Sequence, residues 1–166
     1  MSGTFLGSEN HLTGLLTLTS RLVQDRLTAA LRPLGLTYAQ AAALVRLWRT
    51  PGGRMRQLDF VSSLALTRPT GTLLIGDLER AGLLVRSADP DDGRRQLITL
   101  TDAGRKLEPE VHAVLADLHH RLEAAVGEED LVKTTQALTR ALAYLDPAAL
   151  APAPAGRRGA GAGTAG

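Results

Sequence analysis

Leu83-Leu84-Val85-Arg86-Ser87, Asp89-Pro90-Asp91-Asp92-Gly93 and Arg95-Gln96-Leu97-Ile98-Thr99-Leu100 follow one another with different readings. The outer two are short, apolar-rich runs and read as strands. The middle one is dense in Asp, Pro and Gly, the residues that form turns. Together they predict a β-hairpin with an exposed, charged tip. The sequence on both sides has helical periodicity, so the place of this hairpin among helices decides the fold.

Just before the hairpin, Thr67 is expected to cap a helix from Arg68 to Ala81, with Pro69 in the first turn, where a missing N–H costs nothing, and Gly82 as its stop. Ala65-Leu66-Thr67 reads as a tight turn, preceded by a short helix from about Arg56 to Leu64. Two short helices about a tight turn make a helix-turn-helix, whose second helix can lie in a major groove of DNA. A hairpin directly after that helix makes the motif a winged variant.

Farther out, Leu12, Leu15, Leu16, Thr19, Leu22, Val23, Leu27 and Leu31 recur at steps of three and four, predicting a helix from about Asn10 to Arg32 that Pro33 and Gly35 end. Thr37 is expected to cap a second helix, Tyr38 to Arg49, stopped by Pro51-Gly52-Gly53. Beyond the hairpin, Thr101 caps a long helix from Asp102 to about Val126; Gly127 breaks it, and a last helix runs from Glu128 to Leu145. The fold class is mainly α (α+β). One domain is expected over residues 9–146, between a disordered N-terminus, 1–8, and a disordered Ala/Gly/Pro tail, 147–166.

Composition narrows the function. The 166 residues contain no cysteine, which excludes disulfides, thiolate zinc sites and a cysteine-based peroxide switch. No signal-peptide pattern or apolar stretch of roughly 20 residues is present, so a soluble, cytoplasmic protein without membrane contact is expected. Net charge is only +2, but residues 46–106 hold 11 basic against 7 acidic side chains, and the remainder is net acidic. The basic part coincides with the helix-turn-helix and hairpin, as a polyanion partner requires. His112 and His119 share a helix face two turns apart, about 10 Å by helix rise, too far to chelate an ion without a third ligand. No metal, cofactor or catalytic residue is assigned, since no phosphate loop or nucleophile–base pair is evident.

Between about residues 37 and 104 the sequence resembles the MarR family of bacterial regulators. Asp59-Phe60-Val61-Ser62-Ser63-Leu64-Ala65-Leu66-Thr67 is similar to the family's acidic–Leu–Ala–x–x–Leu–Gly–Leu–Ser lead-in. Leu78-Glu79-Arg80-Ala81-Gly82-Leu83-Leu84-Val85-Arg86, Asp89-Pro90-Asp91-Asp92-Gly93-Arg94-Arg95 and Leu100-Thr101-Asp102-Ala103-Gly104 resemble the passages that follow it. Gly71 departs from the pattern, standing where the family usually has Val or Ile; it softens the helix or lets backbone approach DNA. The resemblance implies a homodimer, with dimerisation helices at about 10–32, 102–126 and 128–145 around a winged helix-turn-helix at about 37–101. It also implies a repressor on a pseudo-palindromic duplex operator, with a small-molecule effector in some members.

In that frame Arg68, Pro69, Thr70, Thr72 and Leu73 are the expected base-reading positions of the recognition helix. Arg94 at the wing tip is expected to enter a minor groove, with Asp92 holding its guanidinium in a forked pair. Arg95 is a candidate phosphate contact. Arg54, Arg56 and Arg86 are candidate phosphate clamps that could equally be structural ion-pair partners. Trp48 and Tyr38 read as core or cleft-wall residues. The competing reading is a winged-helix scaffold that binds protein instead of specific DNA; the Arg-rich wing argues against it.

Overall fold

The computed structural model describes residues 11–147. The expectations for residues 1–8 and for the tail beyond Pro147 lie outside the described residues. The chain divides into two compact units, one ending at Gly127 and the other beginning at Glu128.

The first unit runs α1 (Leu12–Leu31), α2 (Tyr38–Trp48), β1 (Arg54–Arg56), α3 (Gln57–Ser63), α4 (Arg68–Arg80), β2 (Leu84–Asp89), β3 (Asp92–Leu100), α5 (Asp102–Lys106) and α6 (Glu108–Val126); the second holds α7 (Glu128–Leu145). The three threonine caps form as expected. Thr37 makes a full capping box with Gln40, Thr67 accepts from the Thr70 N–H, and Thr101 accepts from the Gly104 N–H.

The structure revises the expected elements in three places. The hairpin is part of a three-stranded antiparallel sheet ordered β1-β3-β2, because Arg54-Met55-Arg56 pairs with Leu97–Thr99 before α3 begins. Three residues carry no readable period of two, so the sequence shows no strand here, and its expected helix start at Arg56 is the last residue of β1. The expected long helix from Asp102 is broken at Leu107: Pro109 has no N–H to continue the ladder, and α6 starts afresh with Pro in its first turn. The hairpin turn is also tighter than expected, with Asp89 already paired to Asp92 across Pro90-Asp91.

The core of this unit is aliphatic around one ring. Leu27 and Leu31 of α1, Leu44 and Leu47 of α2, Phe60 of α3, Ile75 and Leu78 of α4, Leu84 and Ile98 of the sheet, and Val111 of α6 are all buried. Trp48 and Tyr38 pack against this core, half-buried. The Trp48 indole donates to the Gly104 carbonyl at 3.2 Å and meets the His112 ring edge-on, with centroids 5.7 Å apart.

Two glycines explain sequence features by contact. A Cβ at Gly104 would lie 2.1 Å from the Leu83 carbonyl oxygen, so Leu-Thr-x-x-Gly lets α5 seat directly on the start of the wing. The Thr101 hydroxyl completes that joint by donating to the Gly82 carbonyl at 2.6 Å. A Cβ at Gly71 would lie 2.4 Å from Cγ2 of Val61. Gly71 is buried where α4 crosses α3, so its role is helix packing and its Cα faces Val61, which corrects the expectation of a backbone approach to DNA. Bulk at Val61 on α3 fills the space that a side chain at residue 71 would need.

Candidate nucleic-acid interface

Helix α4 has two faces. Gly71, Leu74, Ile75 and Leu78 are buried, which fixes the helix on the lobe. Arg68, Pro69, Thr70, Thr72 and Leu73 are all exposed, so every recognition-helix candidate is accessible. Leu73 is 70% exposed, an unusual placement for leucine on a helix that otherwise buries its large apolar residues. Thr70 is partly committed: its hydroxyl lies 2.9 Å from that of Thr67 and its N–H bonds the same oxygen, so it helps close the cap.

The wing tip is organised by two carboxylates. Asp92 accepts the Arg94 backbone N–H on Oδ1 at 3.2 Å, and its Oδ2 forms an ion pair with Arg95, 2.9 Å from Nε. The expected forked pair between Asp92 and the Arg94 guanidinium is therefore not formed; Asp92 fixes the backbone of Arg94 and the side chain of Arg95. Asp89 is 4% exposed and accepts the Asp91 N–H on Oδ1 at 3.1 Å and the Arg56 Nε on Oδ2 at 2.8 Å. The Asp91 N–H, and then the Arg56 guanidinium, hold the Asp89 carboxyl below the ordinary carboxylate range against the opposing effect of burial.

The five candidate arginines outside α4 separate by partner. Arg56 is paired to Asp89, Arg86 to Glu79 at 3.3 Å, and Arg95 to Asp92. Arg86 also lies over α4, with its guanidinium 3.4 Å from where a Cβ at Gly76 would stand. Arg54 and Arg94 are exposed and make no ion pair among the described residues; the same holds for Arg68 on α4. Of the three expected phosphate clamps, Arg56 and Arg86 are thus engaged as structural ion-pair partners, and Arg54 is free. Sequence reading missed Asp89 as an organising residue. Its signal was only a second Asp in a turn already full of them.

Among the described residues no group of three or more His, Asp and Glu side chains could hold a metal ion, and no helix is long and apolar enough to cross a membrane.

Comparison with known proteins places this fold in a family. The family model for the MarR family matches residues 36–95. The chain is 30% identical over 110 residues to an HTH-type transcriptional repressor of Mycobacterium bovis, covering 66% of this chain and 78% of that protein. It is 31% identical over 74 residues to the HTH-type transcriptional regulator FarR of Neisseria gonorrhoeae, where the match spans 45% of this chain and about half, 51%, of the relative. Among solved structures, S. aureus MepR in complex with DNA superposes with a TM-score of 0.74 at 26% identity, covering 83% of this chain and 99% of that one. With the winged helix-turn-helix, the Leu-Thr-x-x-Gly joint and these relatives together, the chain belongs to the MarR family of transcriptional regulators.

Proposed function

We propose that this regulator binds a specific pseudo-palindromic duplex DNA site as a homodimer and represses transcription from it. The observation that carries the DNA reading is the sorting of the wing arginines. Arg95 is held by Asp92, while Arg94 is exposed and makes no ion pair among the described residues, on a backbone that the same carboxylate fixes. A free guanidinium on a rigid tip suits a narrow, electronegative minor groove. On α4, Arg68 can pair with guanine, and the methyl and isobutyl groups of Thr72 and Leu73 suit thymine methyls. Arg54 adds a phosphate contact.

Homodimerisation is supported by what α1 leaves uncovered. Leu12, Leu15, Leu18 and Leu22 are 47–64% exposed, and on α7 Leu138, Leu142 and Leu145 are exposed as well. Apolar stripes of this kind mark an interface. Two recognition helices would then meet half-sites about 10 base pairs apart. A small-molecule effector would act by preferring one spacing of the two lobes.

The test is binding of purified protein to its own upstream intergenic DNA, in the presence of excess nonspecific duplex, beside Arg94→Ala. Nanomolar binding that weakens about 30-fold or more in the variant is expected, since losing one groove contact of about 1–3 kcal/mol in each of two lobes costs at least about 2 kcal/mol. Failure to retain any sequence from a genomic DNA selection would favour the protein-binding scaffold instead.

A further inference from the structure

We propose that Arg56, although on a different strand from the wing hairpin, is the positioning residue for the wing, and that it acts on DNA through Arg94 without touching DNA itself. The proposal rests on the DNA-binding reading above and deepens it.

The sheet order makes the argument. Among the described residues β1 pairs only with β3, and it ends at Arg56, opposite Leu97. Past that point the wing is a two-stranded ribbon, and such a ribbon is marginally stable in water. The same ribbon is irregular: the register slips between Ala88 and Asp89, which pair with Gln96 and Asp92, so Gly93, Arg94 and Arg95 are extra residues on β3. A bulge re-aims the side chains it carries, and it needs something to fix its direction. Arg56 reaches past β3 to the end of β2, where its Nε bonds Asp89 at 2.8 Å. Asp89 in turn holds the turn through the Asp91 N–H and pairs with Asp92, whose carboxylate fixes the Arg94 N–H. The chain of contacts from Arg56 therefore ends on the backbone of the free arginine.

Burial says the strut is not optional. Asp89 is 4% exposed, whereas the Arg56 side chain is 41% exposed. Truncating the arginine would strand a buried carboxylate, and the tip must then open to hydrate it. A guanidinium committed in this way has no free face of Nε for phosphate.

The experiment measures DNA affinity across a salt series for wild type, Arg56→Ala, Arg94→Ala and the double variant, with hydrogen exchange of the DNA-free proteins in parallel. Arg56→Ala is expected to weaken binding about tenfold, yet to cost nothing further in the Arg94→Ala background and leave the salt slope of that variant unchanged. Additive losses, with the slope falling by about 0.9 per phosphate contact and twice that in a symmetric dimer, would overturn the proposal and make Arg56 a direct contact. Full affinity in Arg56→Ala would overturn it too. In the free protein, the Asp91 and Arg94 amides should exchange at least tenfold faster in Arg56→Ala, and in Asp89→Asn should the first variant fold poorly. Unchanged exchange overturns the positioning role. Wild-type protein that binds no DNA would sink the functional reading alone, and the exchange rates would still decide the strut.

Discussion

Helices α4 and α1 are both rich in leucine, but they end with opposite accounts of it. α4 buries Leu74, Ile75 and Leu78 and exposes Leu73. α1 buries only Leu27 and Leu31, at its C-terminal end, and leaves Leu12, Leu15, Leu18 and Leu22 in solvent. The difference teaches where the fold is complete. The winged lobe closes its own core, and on α4 the one leucine left outside, Leu73, is the one proposed to meet DNA. The N-terminal part of α1 leaves its leucines uncovered within its unit, and the proposed homodimer is what would cover them.

The comparison breaks most visibly if α1 is made polar. Leu15→Glu with Leu22→Glu touches no residue of the core, so the lobe should fold. Sedimentation should then show a monomer, and DNA affinity should fall about 10²- to 10⁴-fold as the second lobe is lost. A variant that stays dimeric would move the interface elsewhere.

The finished packing of α4 can be attacked next. Gly71→Ala puts a Cβ into Val61 and should cost about 1–3 kcal/mol in urea unfolding, despite the better helix propensity of alanine. Adding Val61→Ala should recover much of it, because the two positions share one space. Equal losses in both backgrounds would mean that the two helices are not coupled at this crossing.

Leu73→Ala sharpens the comparison with the smallest effect. Stability should change by less than about 0.5 kcal/mol, as at other exposed positions. Affinity for the selected operator should drop by about 1 kcal/mol, the scale of burying one or two methyl groups. A stability loss without an affinity loss would reassign Leu73 to the fold.

Much of the lobe was legible in the sequence because its signals are local. Thr37, Thr67 and Thr101 announce their helices within a few residues, and turn chemistry marks the wing. What escaped depends on distance in sequence. Arg54-Met55-Arg56 becomes a strand only because β3, about forty residues later, offers an edge. The break at Leu107 hides in an apolar stripe that runs straight through it, with Pro109 as the one clue. Gly71 reads as a weak point in its helix, because only the fold brings Val61 against it. At the wing tip the sequence places Asp92 two residues before Arg94, close enough for the expected forked pair; in the irregular register there, Arg95 reaches Asp92 instead. The candidate arginines could be listed from sequence, but which of them are free could not, since Asp89, Glu79 and Asp92 decide it in space.

The most direct test of the central claim is a chemical footprint of the bound operator, comparing wild type with Arg94→Ala at saturating protein. The account predicts two symmetric patches of major-groove protection one helical turn apart, flanked by minor-groove protection that disappears in the variant. Minor-groove protection that survives Arg94→Ala, or a single unsymmetric patch, would contradict it.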